Sequence, residues 1–391
     1  MGDNSGTTLD EVPIEGISST KIHLIFNKIL KKILLIIYYT YTKLPNNDGG
    51  TKMKKIKTTE AVGNVICHDI TQIIKGEKKD VAFKKGHIVT EEDIPVLLSI
   101  GKDNLYVWEK KEGMLHENEA AEILCKICKS DYMSATKVKE GKIELIAAED
   151  GLFKIDIEKL RKINSLGEMM IATRHSNFPV KKGDKLAGTR IIPLVIEQKK
   201  MDEAVKLSGD KPLMEILPFI HKKAGIVTTG NEVFYGRIKD TFGPVIREKL
   251  AEYNVEVLGQ KILSDDPKLI TEAIKDFIKE GAELIICTGG MSVDPDDTTP
   301  TAIQNTGAKI VSYGAPVLPG AMFLLAYYNG TLPVIGLPGC VMYAKRTIFD
   351  LVLPRVMVDD KITLEDIANL GHGGLCLSCD ICTFPNCGFG K

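Results

Sequence analysis

The stretch "AELIICTGGMSVDPDDTTP" (282–300) decides how this chain is read. "AELIIC" is a short apolar run of the kind that fills a strand buried on both faces, and it ends at Gly289-Gly290. Paired glycines at a strand end let the backbone take positive φ or come close to a ligand, and successive free amides there make a nest for an anion. Thr288 and Ser292 would add hydroxyl donors. Asp294, Asp296 and Asp297 then fall within four residues, and carboxylates this close repel one another unless a cation or a proton offsets them. A tight turn from strand to helix accounts for the glycines but not for the acids. A phosphate in the nest and a hard cation such as Mg²⁺, held by Asp294 and Asp297, account for both.

The same pattern extends on either side. "AGIVTTG" (224–230) is a buried strand and loop, "PVIREKLAEYN" (244–254) a helix with Pro in its first turn, and "VEVLGQKIL" (255–263) a strand. "DDPKLITEAIKDFIKEG" (265–281) is a helix with an acidic start and a glycine stop. "TTPTAIQNTG" (298–307) is a short helix, "LPVIGLPG" (332–339) a strand, and "YAKRTIFDLVLPRVM" (343–357) a closing helix. Strands alternating with helices of this length predict an α/β domain, a mostly parallel sheet flanked by helices. Ligands of such sheets bind beyond the carboxyl ends of the strands. Three glycine turns fall there: "TTGNE" (228–232), "TGGMS" (288–292) and "LPGC" (337–340).

These motifs, in this order, resemble the molybdopterin-binding domain shared by molybdopterin molybdenumtransferase, the gephyrin C-terminal region and the molybdopterin adenylyltransferases. The family pattern runs Thr-Gly-Asp/Asn-Glu, Gly-x-Ile-x-Asp, Thr-Gly-Gly-x-Ser-x-Gly-x-x-Asp and Leu-Pro-Gly. Here "TTGNEVFYGRIKD", "TGGMSVDPDD" and "VIGLPG" match it across 223–357, about a third of the chain. The resemblance implies that Thr288, Gly289, Gly290 and Ser292 hold the pterin's terminal phosphate, with Thr229, Gly230, Pro338 and Gly339 lining the pocket. It also implies that Asp297 is the catalytic or Mg²⁺-linked acid and that Glu232 faces it. The implied reaction transfers molybdenum from molybdate to the dithiolene of adenylyl-molybdopterin and releases AMP; the alternative is a non-catalytic carrier or sensor of molybdopterin. Family precedent further implies a homo-oligomer, with molybdoenzymes or other cofactor-assembly proteins as partners.

The chain departs from the pattern in places. Asp294 stands where the family has glycine, and "LPGCV" replaces Leu-Pro-Gly-Asn-Pro. The turn that carries lysines in the family reads "APVLPGAM" (315–322) and has none. "EAVGNVICHDI" (60–70) looks like the opening of a molybdenumtransferase, but the early Asp-Asn-Ser-Ala-Met-Asp-Gly run is missing.

Upstream, 53–222 mixes short strands with a few helices and predicts a β-rich α+β region. In "KKDVAFKKGHIVTEEDIPVLLSIG" (78–101), Thr90 is the expected N-cap of a helix. "HENEAAEILCKIC" (116–128) has helical spacing that places Ala120, Leu124, Ile127 and Cys128 on one face. Residues 1–52 contain "KIHLIFNKILKKILLIIYYTYTKL" (21–44), whose longest uninterrupted apolar run, "ILLIIYY", is too short for a spanning helix of about 20 residues. Their Ile-, Lys- and Asn-rich composition suits translated AT-rich DNA, and Gly49-Gly50 ahead of Met53 could encode a ribosome-binding site. We expect the native start at Met53, and a division into 1–52, 53–222, 223–360 and a Cys-rich tail, 361–391. With 51 Lys and Arg against 52 Asp and Glu, and 6% aromatic residues, the chain has neither the basic footprint nor the stacking residues of a nucleic-acid binder. A cytoplasmic protein without a membrane span is expected.

The tail reads "GLCLSCDICTFPNCGFGK" (374–391), placing Cys376, Cys379, Cys382 and Cys387 within twelve residues as C-x2-C-x2-C-x4-C. In a reducing compartment this spacing predicts a metal tail, either tetrahedral Zn²⁺ or a [4Fe–4S] cluster. Cys125 and Cys128, one helical turn apart, read as partly buried thiols.

Overall fold

Five consecutive buried residues, Leu284–Thr288, form the strand that the apolar run predicts. In the computed structural model, which describes residues 53–74, 78–108, 112–292, 294 and 297–391, this strand lies inside a six-stranded sheet. The sheet is built from β1 (Lys223–Thr229), β2 (Glu256–Leu263), β3 (Leu284–Thr288), β4 (Lys309–Tyr313), β5 (Leu324–Tyr328) and β6 (Leu332–Leu337). Their order is β2-β1-β3-β6-β5-β4, parallel from β2 through β6 and antiparallel from β6 through β4. The helices are α1 (Asn231–Phe234), α2 (Phe242–Ala251), α3 (Pro267–Lys279), α4 (Thr299–Asn305), α5 (Ile348–Val356) and α6 (Leu364–Asn369).

Alternate residues of the central strands serve opposite cores. Ile226, Ile286 and Ile335 join Ile246 and Leu250 of α2 and the apolar side of α5. Val227, Ile285 and Val334 face Ile270, Ile274 and Phe277 of α3, with Ala302 and Ile303 of α4. Ile285 and Ile286 have no exposed surface, and burying a side chain of that size contributes about 1.5–3 kcal/mol. The predicted start of α3 holds, where Asp266 accepts the Lys268 N–H and caps the helix; α5 begins later than the expected Tyr343, at Ile348, where Thr347 and Asp350 form a reciprocal capping box.

The antiparallel β5–β4 edge was not anticipated. Asn329 (φ 50°) and Gly330 (φ 81°) close a tight hairpin between β5 and β6, so the sheet ends in a meander and not another crossover.

The described residues divide into two compact units, one ending at Glu112 and the other running Gly113–Lys391. The first has an antiparallel sheet of Met53–Lys57, Asn104–Trp108 and Val65–Ile66, a hairpin of Ile70–Ile74 with Lys78–Phe83, and a helix, Asp93–Ser99. Thr90 is not the cap of that helix. Glu92 occupies the cap position without a side-chain bond, and the Asp93 carboxylate accepts the Thr90 N–H at 2.7 Å.

In the second unit, residues 113–218 are β-rich, as expected. Three antiparallel sheets, of four, three and two strands, pack with the helices Glu117–Cys128, Ile157–Asn164 and Gln198–Ser208 around their own core, which contains Ala120, Leu124, Ile127 and Cys128. Among the described residues no helix is long and apolar enough to cross a membrane, and the 21–44 stretch lies outside them.

Candidate functional site

The register of the parallel strands places Thr228, Thr288 and Leu337 side by side on β1, β3 and β6. The segments that follow them, Thr229-Gly230, Gly289-Gly290 and Pro338-Gly339, therefore leave the sheet at one level. The chain departs from β1 towards β2 on one side, while β3 and β6 lie on the other. This is the switch point at which open α/β sheets form a crevice.

Beneath the turns lies a floor of buried hydroxyls. The Thr288 hydroxyl donates to Thr228 at 3.2 Å, and Thr229 and Thr299 pair at 3.1 Å. Gln260 donates to Thr228 (2.9 Å) and to Asp240 (2.7 Å), whose carboxylate also accepts the N–H groups of Phe242 and Gly243. Thr288 is fully buried and its hydroxyl is engaged, so it does not supply the open donor expected of it. Its role here is to hold the turn.

Above the floor the glycines are obligatory. At Gly289 (φ +85°) a Cβ would stand 2.0 Å from the Thr229 carbonyl oxygen, and at Gly290 (φ +55°) it would stand 2.9 Å from the Thr299 hydroxyl. Among the described residues, no acceptor takes the N–H of Gly290, Met291 or Ser292. The Tyr313 hydroxyl reaches the carbonyls of Met291 (3.0 Å) and Ser292 (3.1 Å), fixing the turn from the β4 side. Burial, and then the negative charge of Asp297, push the Tyr313 phenol above its ordinary pKa, so Asp297 faces the same side of the turn.

The expected site residues sort into two groups. Thr229, Gly230, Thr288 and Pro338 are buried and shape the strand ends. Ser292, Asp294, Glu232 and Gly339 are exposed, while Gly289, Gly290 and Asp297 are half-buried. Glu232 folds back over its own turn, with Oε1 2.7 Å from where a Gly230 Cβ would be. Asp297 donates its backbone N–H to the Asp294 carbonyl at 3.0 Å. Asp296 lies outside the described residues.

Four contributors went unnoticed in the sequence: Asp240, Gln260, Asp265 and Tyr313. Asp265 accepts the Asn231 N–H (2.9 Å), and its carbonyl accepts the Thr298 hydroxyl (2.8 Å), so it ties the first turn to the second. Only Asp240 carried a signal, as the last member of Gly-x-Ile-x-Asp.

The cysteine tail is docked rather than loose. Leu318 N–H donates to the Gly374 carbonyl and Cys376 N–H donates to the Leu318 carbonyl, both at 2.8 Å. Phe389 is 4% exposed in the α/β core, with Cys376, Phe384 and Cys387 packed against it. Cys379 and Cys382 are exposed. Among the described residues, no three His, Cys, Asp or Glu side chains converge so as to hold a single metal ion. The closed tetrahedral zinc centre expected as one alternative is therefore not assembled: the Leu318 backbone holds Cys376, Cys387 packs against the core, and the middle pair is exposed. Cys128 is fully buried, and burial pushes its thiol up to about 12.

Residues 225–357 match the family described as a probable molybdopterin binding domain, and residues 55–109 match a domain of unknown function. A CinA-like protein of Mycobacterium sp. (strain MCS) is 38% identical over 90 residues, which is 23% of this chain and 21% of that protein. A CinA-like protein of Mycobacterium tuberculosis (strain ATCC 25618 / H37Rv) is 38% identical over 80 residues, 20% of this chain and 19% of that one. The chain thus spans about a fifth of the length of the curated relatives it matches. Among solved structures, the molybdopterin biosynthesis enzyme MoaB of Thermus thermophilus is 23% identical with a TM-score of 0.30, covering 37% of this chain and 99% of that one. A molybdenum cofactor biosynthesis protein of Pyrococcus furiosus covers 79% of this chain and 64% of that one, at 13% identity and a TM-score of 0.24.

Proposed function

We propose that this chain, which carries a domain of the molybdopterin-binding family, binds molybdopterin or its adenylylated form at the three level strand ends and works in assembly of the molybdenum cofactor. The observation that carries the reading is the Gly289–Ser292 turn. Its free amides are held open by two glycines that admit no side chain, above a floor of paired threonines. Such a turn suits a phosphate. Ser292, Gly339 and Pro338 would flank the pterin, with Thr229, Gly230 and Thr288 as support.

The finer proposal is transfer of molybdenum from molybdate to adenylyl-molybdopterin, with cleavage of the phosphoanhydride and release of AMP. Asp294 and Asp297 suit a hard cation that takes one or two carboxylates alongside phosphate oxygens. Mg²⁺ there would offset charge on the phosphates during cleavage. Asp297 would hold it beside the turn, and Glu232 would orient the nucleophile from the opposite turn. A homo-oligomer and a cytoplasmic location belong to the same proposal.

A non-catalytic carrier or sensor is the second reading, and one observation favours it. The 315–322 turn lacks lysines, and Leu318 pairs with the tail, so this turn offers the pocket no cation. The test is AMP release from adenylyl-molybdopterin with molybdate and Mg²⁺. Under the catalytic reading Asp297→Asn lowers the rate by about a hundredfold or more while pterin affinity stays within a few-fold. Tight pterin binding with no AMP from the unmodified protein leaves the carrier.

A further inference from the structure

The four tail cysteines, although no three converge on a point, all line one cavity of about 630 Å³, which Lys345 and Arg346 also line. The loop that carries them is anchored at both ends. Cys376 is held through the Leu318 backbone and Cys387 through the Phe389 core, while the Gly390 N–H closes onto the Gly373 carbonyl at 2.8 Å. Between the anchors, Cys379 and Cys382 sit on an exposed arch, and the Lys345 ammonium holds it by donating to the carbonyls of Asp380 (2.6 Å) and Cys379 (3.5 Å).

Size and charge together narrow what fits. Four thiolates around one zinc must lie about 3.8 Å apart, given a Zn–S bond of about 2.3 Å. Among the described residues no three of these side chains converge as a single ion requires, and Cys376 and Cys387 pack against the core. A cuboid cluster takes one thiolate at each of four corners and so spans a wider ring. Such a cluster carries net negative charge with its thiolates. Lys345 is the complementary group, since among the described residues no carboxylate stands within ion-pair distance of it. Arg346 is committed elsewhere, to Glu252 (3.0 Å) and Asp350 (2.8 Å), and makes the wall rigid.

We infer that Cys376, Cys379, Cys382 and Cys387 ligate a [4Fe–4S] cluster in this cavity. The site does not depend on the pterin reading. Its wall, Tyr343–Arg346, follows Pro338-Gly339 by only a few residues, so the cluster would neighbour the strand-end site through that segment.

The experiment is anaerobic reconstitution of the full chain with ferrous iron and sulfide, against zinc alone, followed by metal and sulfide analysis, absorption and low-temperature EPR after reduction. About four iron and four sulfide per chain are expected, with a broad visible absorption that bleaches on reduction. Cys379→Ser and Cys382→Ser, both at exposed positions, should each lose the chromophore and keep the far-UV circular dichroism of the unmodified chain. Lys345→Ala should retain the cluster but lose it faster in air. Failure of the folded protein to take up iron overturns the assignment. So does tight binding of one zinc in preference to iron and sulfide, a stoichiometry near two irons, or a chromophore that survives in both serine variants.

Discussion

The strand-end turns and the cysteine loop are the two places where this chain gathers chemistry, and they are built in opposite ways. The turns grow out of parallel strands whose ladder sets Thr228, Thr288 and Leu337 level, and buried hydroxyls and carboxylates then lock each loop to the next. The loop has no ladder beyond the Leu318–Leu375 bridge; burial of Phe389 and two backbone pairings hold it. A site made from a sheet keeps its shape whether or not a ligand is present. A loop strung between two anchors has less to fix it, and the exposed arch with Cys379 and Cys382 is braced by the Lys345 ammonium on the carbonyls of Cys379 and Asp380.

The contrast can be broken at several points. The largest effect is expected at Gly289→Ala. Its Cβ meets a backbone carbonyl at 2.0 Å and its φ is +85°, so strain and overpacking together cost about 3 kcal/mol or more. Denaturant unfolding should show that loss without any ligand, and a near-unchanged midpoint would mean the turn is softer than described. Next comes Lys249→Met, under the tail's wall. It leaves the Asp350 carboxylate, 5% exposed, with Arg346 as its remaining ion-pair partner, at a cost of about 3 kcal/mol. Because Asp350 also caps α5 beside Lys345, limited proteolysis should then cut the tail before the strand-end turns.

A smaller effect separates the cysteines by reactivity. Burial pushes Cys128 and Cys287 up to about 12, whereas Cys379 and Cys382 are exposed. Alkylation at pH 8 followed by peptide mass spectrometry should label the exposed pair first and spare the buried pair in folded protein. Early labelling of Cys287 would show that β3 opens readily.

The smallest effect concerns Asp366. Burial alone would raise its pKa, but the Thr363 N–H and hydroxyl and the Arg355 guanidinium outweigh burial and hold the carboxyl below its ordinary value. A depressed carboxyl stabilises the fold above its unfolded pKa of about 4 and loses that contribution as pH falls through the folded value. Asp366→Asn should therefore lower stability slightly at neutral pH, where the contribution is fully present, and flatten the acid limb, with the two proteins converging as pH falls below the folded pKa.

Much of the α/β domain was legible because its signals are local. Period, caps and glycine stops located β1, β2, β3 and β6 and the helices between them, and the Gly-Gly turn located the crevice. The β5–β4 edge was missed although Asn329-Gly330 is a hairpin signal, since nothing local says which strand a neighbouring run will pair with. Thr90 was misread as a cap because its position relative to the helix is set by a bond the pattern does not show: its own N–H donates to the Asp93 carboxylate, and the helix begins only after Glu92.

The sequence by itself determined the strand–turn–helix grammar, the positions where only glycine fits, and the spacing of four thiols, all of which depend on residues close together in the chain. Tertiary structure alone decided that Thr288 faces inward to Thr228, sixty positions away, and not towards a ligand. It also decided that Gln260 and Asp240 brace the floor, and that the tail folds back on Leu318 with no three of its cysteines converging as one ion requires. The reason is physical: which hydroxyl is free and how far apart four sulfurs stand depend on which strands and anchors meet in space, and the spacing of residues along the chain does not carry that information.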